Sequence, residues 1–429
     1  METDENAVAH IQVKFFTKQQ QYAIQDIPYS LPVNVGTTEL NELLNGILKA
    51  DFVETEWKKL NFDFLHNGEF LRTNLTEHIE SKGLTTETVL EVEYVEQTPA
   101  PRPQDSLKHD DWVSAVKSTP DLILTGCYDN TIHLWTPKGS HLMTIPGHLG
   151  PVKAVDWISH DENGGQFVSA SHDQTLMIWQ WDRQKNSIEC AHVCRGHTRS
   201  VECVKVDASH TRFASGCWDG MLKIWSTGED EGGSGEPDDH EQSQKKLKTN
   251  QQKSVTRTPL LTLAGHKESL SSIVWTDTGE VCTGSWDHTI RTWDLESGAN
   301  KLTLPGAKVL LNLSWSPSSH LLLSGSADRH VRLWDVRVPD GTAVKSTYTS
   351  HSGWVSCVSW SPNDTNLFIS GSYDNLLKLW DVRSTSVPLF NMTGHENKIL
   401  CCDWSVPDHM ISGGADTTVK IFEAAGHSS

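Results

Sequence analysis

The sequence is built around one short unit that recurs seven times, an aspartate followed six residues later by an aromatic residue. Six of the units end in Trp and the last ends in Phe. A serine or threonine stands four residues before every aspartate. The pairs are Asp129/Trp135, Asp173/Trp179, Asp219/Trp225, Asp287/Trp293, Asp328/Trp334, Asp374/Trp380 and Asp416/Phe422. A period of this kind indicates a repeat architecture, in which each unit packs on its neighbours.

The spacing of the units indicates which repeat architecture is present. Successive aspartates lie 44, 46, 68, 41, 46 and 42 residues apart, and a four-stranded propeller blade takes ~40–45 residues. Residues 321–328 and 330–334 have the pattern of two short strands joined by a tight turn. Residues 106–423 therefore resemble the WD-repeat family. The resemblance implies a mainly β fold, a seven-bladed WD-repeat β-propeller.

Polar residues around each unit point to a structural network. An imidazole upstream of the unit can bond the turn aspartate, while the Ser/Thr hydroxyl and the Trp N–H complete the network, as they do in the family. Because an unpaired buried polar group costs about 1–3 kcal/mol, these groups need one another. Their sevenfold recurrence favours a fold element over a catalytic Ser-His-Asp group. The histidines are His148, His197, His266, His351 and His395.

Two repeats depart from this pattern, and the last repeat is incomplete. Repeat five has Gly306-Ala307 and repeat one has Lys108-His109 where Gly-His is expected, which predicts weaker networks there. After Phe422 only seven residues remain, too few for a further strand with its turn. The seventh blade must borrow its outer strand from before His109, so that the ring closes and the sheet edges are covered. Its source stays open, because the Pro-rich segment 97–105 has the composition of a stiff linker.

Residues 9–96 lack the repeat and predict a separate domain. Their pattern gives two strands, an amphipathic helix after Thr37-Thr38 and three further strands, the order of a ubiquitin-like β-grasp. The predicted strands cover residues 11–16, 22–27, 62–65, 69–72 and 89–95. Residues 1–96 hold 17 Asp/Glu against 7 Lys/Arg, about half of the net charge of −19. Such a surface suits a basic or metal-bearing partner.

Composition limits the remaining possibilities. A net charge of −19 opposes nonspecific binding to nucleic acid, although direct contact with RNA stays open. No apolar run reaches the ~20 residues of a membrane span, and no secretory signal is present. The nine scattered cysteines favour reduced thiols inside the cell. The acidic and glycine-rich insertion at 228–258 is predicted to be disordered. Its Lys-Lys-Leu-Lys cluster at 245–248 fits a nuclear-import signal, but short lysine clusters are common.

The residue just before each turn aspartate offers a candidate binding surface. In four of the seven repeats this residue is a large aromatic. The rings can either anchor a partner protein or simply cover the top of the blade, and the sequence does not decide between these roles. The four candidates are Tyr128, Trp218, Trp286 and Tyr373.

Over its full length the chain resembles one family more narrowly. The motifs Phe62-Asp-Phe-Leu, Phe70-Leu-Arg and Asp110-Asp-Trp-Val-Ser are similar to those of the WD-repeat ribosome-biogenesis factors that include Ytm of yeast and WD-repeat protein twelve of animals. The Notchless family shares the arrangement but has an additional blade. The resemblance implies a non-enzymatic scaffold for rRNA processing and large (60S) subunit biogenesis, in the nucleolus and nucleoplasm. The implied partners are the pescadillo and block-of-proliferation proteins, the pre-60S particle and the AAA ATPase midasin.

The resemblance also assigns a role to one carboxylate. In the family, a glutamate of the ubiquitin-like domain completes the Mg²⁺ coordination in midasin's metal-ion-dependent adhesion site, and the matching position is Glu87 in segment 83–90. A hard cation favours such an oxygen ligand. Without the resemblance, Glu87 is one of many surface acids. No cofactor of the chain's own is implied.

Two other function classes fit the sequence less well than the scaffold does. A substrate adaptor of a ubiquitin ligase is the alternative for a WD-repeat chain, but it calls for a ligase-docking motif and the sequence shows none. An enzyme calls for a phosphate-binding loop or a metal-binding cluster, and neither pattern is found in the sequence. The sequence therefore favours a binding protein without catalytic activity.

Overall fold

The computed structural model describes residues 9–51, 58–85, 87–228, 255–277, 279–338 and 343–424. The chain forms two compact units, of which the first contains residues up to 100 and the second contains residues 101–380 and 390–424. Within the described ranges, no helix is both long enough and apolar enough to cross a membrane.

The N-terminal unit is a five-stranded mixed sheet with two helices. The strand order is β2-β1-β5-β3-β4, with β1 and β5 parallel and the other neighbours antiparallel. This is the predicted β-grasp arrangement. The elements are β1 His10–Phe16, a 3₁₀ turn Gln20–Tyr22, β2 Pro28–Pro32, α1 Thr37–Asp51, β3 Phe62–His66, β4 Glu69–Phe70, α2 Leu75–Lys82 and β5 Leu90–Glu96.

Helix α1 packs its apolar stripe on the sheet and also ties down the start of β3. Val13 and Phe15 alternate into the core that the buried leucines of α1 complete. The amide of Asn41 exchanges two hydrogen bonds with the backbone of Phe62, at 2.9 and 2.7 Å. Asn45 bonds Leu60 in the same way, at 2.8 and 3.0 Å. Two helix amides thus stand in for a strand neighbour, which satisfies backbone groups that burial would otherwise penalise.

Two elements of this unit differ from the sequence prediction. The second strand covers Pro28–Pro32 and not residues 22–27, because Tyr22 lies in a helical turn with its ring 5.4 Å from that of Phe62. Helix α2 was missed. Its signal was present, since Asn74 caps the helix by accepting the Glu77 N–H at 2.8 Å, and Gly83 ends it in the left-handed region at φ 61°.

The second unit begins with β6 Arg102–Lys108 and continues through sheets of one blade each. Blade 1 is β7 Val113–Ser118, β8 Ile123–Cys127, β9 Ile132–Trp135 and β10 His141–Ile145. Blade 2 is β11 Val152–Asp161, β12 Gly164–Ser171, β13 Leu176–Asp182 and β14 Ser187–Cys194. Blade 3 is β15 Val201–Val206, β16 Arg212–Cys217, β17 Met221–Ser226 and, after an added strand β18 Val255–Arg257, β19 Leu261–Ala264.

The remaining blades repeat the same antiparallel order, and β6 completes the last of them. Blade 4 is β20 Leu270–Asp277, β21 Glu280–Ser285, β22 Thr289–Asp294 and β23 Ala299–Pro305. Blade 5 is β24 Leu310–Ser316, β25 Leu321–Ser326, β26 Val331–Trp334 and β27 Val344–Tyr348. Blade 6 is β28 Val355–Trp360, β29 Leu367–Ser372, β30 Leu377–Asp381 and β31 Phe390–Met392. Blade 7 is β32 Ile399–Val406, β33 His409–Gly414, β34 Thr418–Glu423 and β6.

The strand that closes the ring is longer than the sequence suggested. Strand β6 pairs antiparallel with β34 from Lys108 opposite Thr418 to Arg102 opposite Glu423. Its start at Arg102 corrects the predicted linker, because residues 102–105 belong to the strand. Pro103 is tolerated there since the register shifts beside it, and a proline fits an outer strand or a bulge, where no ladder N–H is needed.

Part of the predicted disordered insertion at 228–258 also forms a strand, which corrects that prediction at its end. Strand β18 runs parallel to β14 as a fifth strand of blade 2. The Arg257 guanidinium anchors it by donating to the Ser226 carbonyl at 2.8 Å. Residues 229–254, with the lysine cluster at 245–248, lie outside the described residues.

Candidate functional site

Blade 4 shows the predicted polar network in full. His266 Nδ1 lies 2.8 Å from Asp287 Oδ2, and His266 Nε2 lies 2.7 Å from Thr283 Oγ1. Trp293 Nε1 donates to the same hydroxyl at 2.8 Å. Because a carboxylate only accepts, His266 carries its proton on Nδ1 and accepts from Thr283 at Nε2. Three more blades contain the same set of hydrogen bonds. The residues are His148, Asp173, Ser169 and Trp179 in blade 2; His197, Asp219, Ser215 and Trp225 in blade 3; and His351, Asp374, Ser370 and Trp380 in blade 6.

The charges and hydrogen bonds of this network indicate a structural role and not a catalytic one. Burial alone would raise the pKa of Asp287, but hydrogen bonds from Thr289 and His266 outweigh it and lower that pKa to about 2. Burial lowers the pKa of His266 against the opposing effect of Asp287. The hydroxyl of Thr283 is fully buried, with its proton and a lone pair both engaged. A substrate therefore has no route to a hydroxyl nucleophile here.

Blade 7 keeps most of the network and blade 5 replaces part of it. In blade 7, His395 bonds Asp416 at 2.9 Å and Ser412 at 2.8 Å, without a Trp donor. In blade 5, Arg332 Nη2 donates to Asp328 Oδ2 at 2.5 Å, where blades 2, 3, 4, 6 and 7 use a histidine. The sequence prediction of a weaker network missed this arginine. Its signal was a cation four residues after the turn aspartate.

Blade 1 has the least complete network. His109 Nε2 lies 2.8 Å from Thr125 Oγ1, as in the other blades, but in the described structure its Nδ1 has no hydrogen-bond partner. His133 instead approaches Asp129, with 3.7 Å between Nε2 and Oδ2. Burial and the neighbouring His133 lower the pKa of His109 to about 4. Asp129 therefore relies on the backbone N–H and hydroxyl of Thr131, at 2.8 and 2.6 Å.

Two of these networks also contain groups that can hold a metal ion, which the sequence did not predict. Within each group the ligand atoms lie within 4.8 Å of one another. Burial raises the pKa of both cysteines, Cys127 and Cys217, to about 12, so each sulfur is a neutral thiol. A metal would have to displace that proton. The groups are Cys127, Asp129 and His133, and His197, Cys217 and Asp219.

The candidate aromatic residues lie on one face of the propeller, here called the Asp-turn face. It consists of the turns between the second and third strands of each blade and the loops that lead into the next blade, because antiparallel strands bring these to the same end. Trp218 and Trp286 are 48% and 46% exposed. Tyr128 and Tyr373 are half-buried. The structure therefore leaves two of the four predicted rings widely accessible.

Two further tryptophans of the Asp-turn face were missed by sequence reasoning. Trp112 lies 5.4 Å from the ring of Tyr128, and Trp354 stacks on Tyr373 at 5.6 Å. They are 44% and 43% exposed. Both stand three residues after a histidine and directly before the first strand of a blade. Because this position is fixed in the repeat, the two tryptophans could have been found from the sequence.

A half-buried ion pair fixes part of this face. Lys153 lies 3.1 Å from Glu202 and donates to the Tyr128 hydroxyl at 3.0 Å. Trp218 Nε1 donates to Glu202 at 2.9 Å. Burial would raise the pKa of Glu202, but Lys153 outweighs it and lowers that pKa to about 2. These bonds hold the rings of Tyr128 and Trp218 in place across three blades.

Glu87 lies in the N-terminal unit, in the turn between α2 and β5. The turn is closed by Thr88, whose N–H and hydroxyl both bond the Thr85 carbonyl, at 3.5 and 3.0 Å. The Glu87 side chain is exposed, and among the described residues it has no ion-pair partner. The predicted contact residue is thus an exposed carboxylate without an ion-pair partner among the described residues.

A seven-bladed WD-repeat propeller that follows a β-grasp domain is the class of protein that these features define. The NLE (NUC135) domain matches residues 11–79, and the WD domain (G-beta repeat) matches seven segments between residues 102 and 423. The chain is 51% identical to a ribosome biogenesis protein WDR12 homologue of Ixodes scapularis, over 97% of this chain and 99% of that protein. Its identity to the homologue of Anopheles gambiae is 50%, over 96% and 95%. The chain belongs to the family of ribosome biogenesis protein WDR12 homologues.

Proposed function

We propose that this protein is a non-enzymatic scaffold for rRNA maturation and biogenesis of the large ribosomal subunit. The observation that carries the proposal is the identity of about half of all residues, over nearly the whole chain, to relatives described as ribosome biogenesis proteins. The blade networks support a binding role, because their Ser/Thr, His and Asp side chains are engaged with one another. What the molecule offers to other molecules is therefore its exposed surface.

The N-terminal domain acts in this proposal as a ubiquitin-like module that presents Glu87 to the AAA ATPase midasin. The carboxylate completes the coordination of Mg²⁺ in midasin's metal-ion-dependent adhesion site. Three properties support the role: Glu87 is exposed, it is unpaired among the described residues, and its turn is closed by Thr88. An oxygen ligand suits Mg²⁺, and the acidity of residues 1–96 suits a site that carries a cation.

The propeller acts in this proposal as the body that joins the pescadillo and block-of-proliferation proteins on the pre-60S particle. Trp218 and Trp286 are its candidate anchors, and Tyr128 and Tyr373 pack against Trp112 and Trp354. We place the protein in the nucleolus and nucleoplasm, where that particle matures. Pulling by midasin on the N-terminal domain would then remove the joined complex from the particle.

The binding role of Glu87 is tested by exchanging its carboxylate for an amide. Glu87→Gln should weaken binding of the full-length protein to the adhesion-site domain of midasin by about tenfold or more, since an amide is a poorer Mg²⁺ ligand. Glu91→Gln, at an exposed position of β5, is the matched control and should bind normally. Circular dichroism should show both variants folded. Unchanged binding of Glu87→Gln would refute the assignment.

The scaffold role itself is tested by affinity purification with mass spectrometry. Purification of the tagged protein from nuclei should recover large-subunit assembly factors, with the pescadillo and block-of-proliferation proteins among them. Recovery of ubiquitin-ligase subunits in their place would overturn the proposal in favour of a substrate adaptor.

A further inference from the structure

The Asp-turn face divides into two halves of different charge. In the loops and turns of blades 6, 7 and 1, the exposed charged side chains include Asp110, Glu396 and Lys398. Lys398 is engaged, because its Nζ lies 5.0 Å from the centre of the Tyr373 ring. Across blades 3, 4 and 5, one exposed acid, Glu268, faces four exposed cations. These cations are Arg199, Lys267, Lys308 and Arg329.

The four cations of the second half are also unpaired. No ion pair joins any of them to another residue in the described part of the chain, whereas Lys117, Lys153 and Lys205 elsewhere in the propeller each hold an acid within 3.1 Å. In a chain of net charge −19, four free cations on adjacent blades are a local reversal of sign. At physiological salt, charges act over about 8 Å. The exposed side chains of this half are therefore mainly cationic, while Asp219 and Asp287 lie half-buried in its turns.

Two exposed tryptophans stand among these cations, on turns that are rigidly held. Trp218 precedes Asp219 and Trp286 precedes Asp287, so both rings extend from turns that the polar networks fix. The backbone N–H of Lys267 also donates to Asp287 Oδ2 at 3.1 Å, which holds the loop against the turn. A partner would bind here without ordering the backbone first, and such preorganised aromatic anchors favour tight association.

We propose that this basic half of the Asp-turn face binds an acidic segment of a partner protein that also places apolar side chains on the two indoles. The basic half is defined as Arg199, Lys267, Lys308, Arg329, Trp218 and Trp286. Carboxylates on the segment pair with the free cations, and its apolar side chains cover Trp218 and Trp286. The inference gives the partner chemistry for the propeller of the proposed scaffold and so rests on that role.

An acidic polypeptide fits this surface better than RNA does. A carboxylate segment can end where the positive half ends, whereas a polynucleotide carries a charge on every residue and would extend onto acidic surface. Nucleic-acid binding depends mainly on phosphate neutralisation along the strand, and four cations neutralise only a short stretch of it.

The charge preference is tested by fluorescence anisotropy with the full-length protein and three labelled peptides. The peptides share the same leucine and phenylalanine positions and differ only in carrying Glu, Gln or Lys between them. The Glu peptide should bind about tenfold more tightly than the Gln peptide, with the difference shrinking at high salt. The double variant Lys267→Glu/Lys308→Glu and the variant Trp286→Ala should each weaken the Glu peptide about tenfold or more.

Matched variants outside the basic half complete the test. Trp112→Ala removes an equally exposed ring from the other half, and Lys138→Glu reverses an exposed cation at the opposite end of blade 1. Both should bind the Glu peptide normally, with thermal melts confirming that all variants are folded. Equal binding of the Glu and Gln peptides, or equal loss in the Trp112→Ala control, would overturn the proposal. So would a single-stranded RNA that displaces the Glu peptide at lower concentration than the peptide itself.

Photocrosslinking in cells identifies the natural partner of this surface directly. Benzoylphenylalanine in place of Trp286 should crosslink in cells to segments of net negative charge, while the same group in place of Trp354 should not select them. Basic or uncharged segments at position 286 would refute the inference. The scaffold role is judged separately, because recovery of assembly factors with Lys267→Glu/Lys308→Glu would leave that role standing.

Discussion

Replacing Asp403 by Asn tests the junction at which the ring of blades closes. Asp403 lies on β32 of blade 7 and reaches β7 of blade 1, where its Oδ1 is 2.6 Å from Lys117 Nζ. Its Oδ2 accepts from the Ser118 N–H at 2.9 Å and from the Ser118 hydroxyl at 2.6 Å. The side chain is buried. Three donors from one blade thus converge on a single carboxylate of another.

The pKa of Asp403 sets the magnitude of this contribution. Burial would raise that pKa, but Lys117 and Ser118 outweigh burial and lower it from 3.8 to about 2. At about 1.4 kcal/mol per pKa unit, the charged carboxylate contributes about 2 kcal/mol to the free energy of unfolding. Since the pKa is depressed in the folded state, this contribution is complete above pH 3.8 and is lost as the pH falls toward 2. Removing one partner of a buried pair costs more, about 3–5 kcal/mol, because the other charge stays behind.

A double-mutant cycle with urea unfolding at neutral pH measures the coupling. Asp403→Asn and Lys117→Met should each lower the urea midpoint strongly, and the double variant should lose clearly less than the two losses added together. Asp182→Asn, at a half-buried position whose carboxylate pairs with Lys185 of the same turn, is the control and should lower the midpoint much less. Additive losses in the cycle would refute the argument that Lys117 and Asp403 stabilise one another.

Two further predictions concern the atypical blades. Arg332→Gln should destabilise blade 5 by about 1–3 kcal/mol, because Asp328 loses a charged donor at 2.5 Å; Arg329→Gln, exposed in the same turn, is the control for urea unfolding. For blade 1, burial holds the pKa of His109 at about 4 against its ordinary 6.5. The unfolded chain therefore takes up this proton first, so stability is lost as the pH falls from 6.5 to about 4. His109→Gln should reduce that slope in thermal melts, and an unchanged slope would contradict it.

The propeller could be predicted from the sequence because the residues of its polar networks occur at fixed spacings in each repeat. One repeat and its leading loop contain all the residues of a network, for example His266, Thr283, Asp287 and Trp293. A short stretch of sequence therefore shows the whole network. The elements of the N-terminal domain were harder to predict, since helix α2 is short and its main signals are the capping residue Asn74 and the glycine that ends it. The order of its strands nevertheless sufficed for the fold.

Features that depend on contact between repeats could not be read in the same way. The partner of β6 lies about three hundred residues away in sequence, and Pro103 argued locally against a strand. Trp112 and Trp354 could have been found by comparing positions before each first strand. The basic half was missed because its cations stand at different offsets in the repeats: Lys267 follows the loop histidine, whereas Arg329 follows the turn aspartate.

The closing strand links the two proposed tasks of the molecule. If midasin pulls on the N-terminal domain, the first propeller strand along the chain after that domain is β6, which begins at Arg102 and belongs to blade 7. Strand β6 is held by its ladder to β34, and the next strand, β7, is held to the same blade by Lys117 and Ser118 on Asp403. Two successive strands thus attach to blade 7. A scaffold that must be pulled off a particle without unfolding needs this point to be strong, and a carboxylate with three donors lies at it.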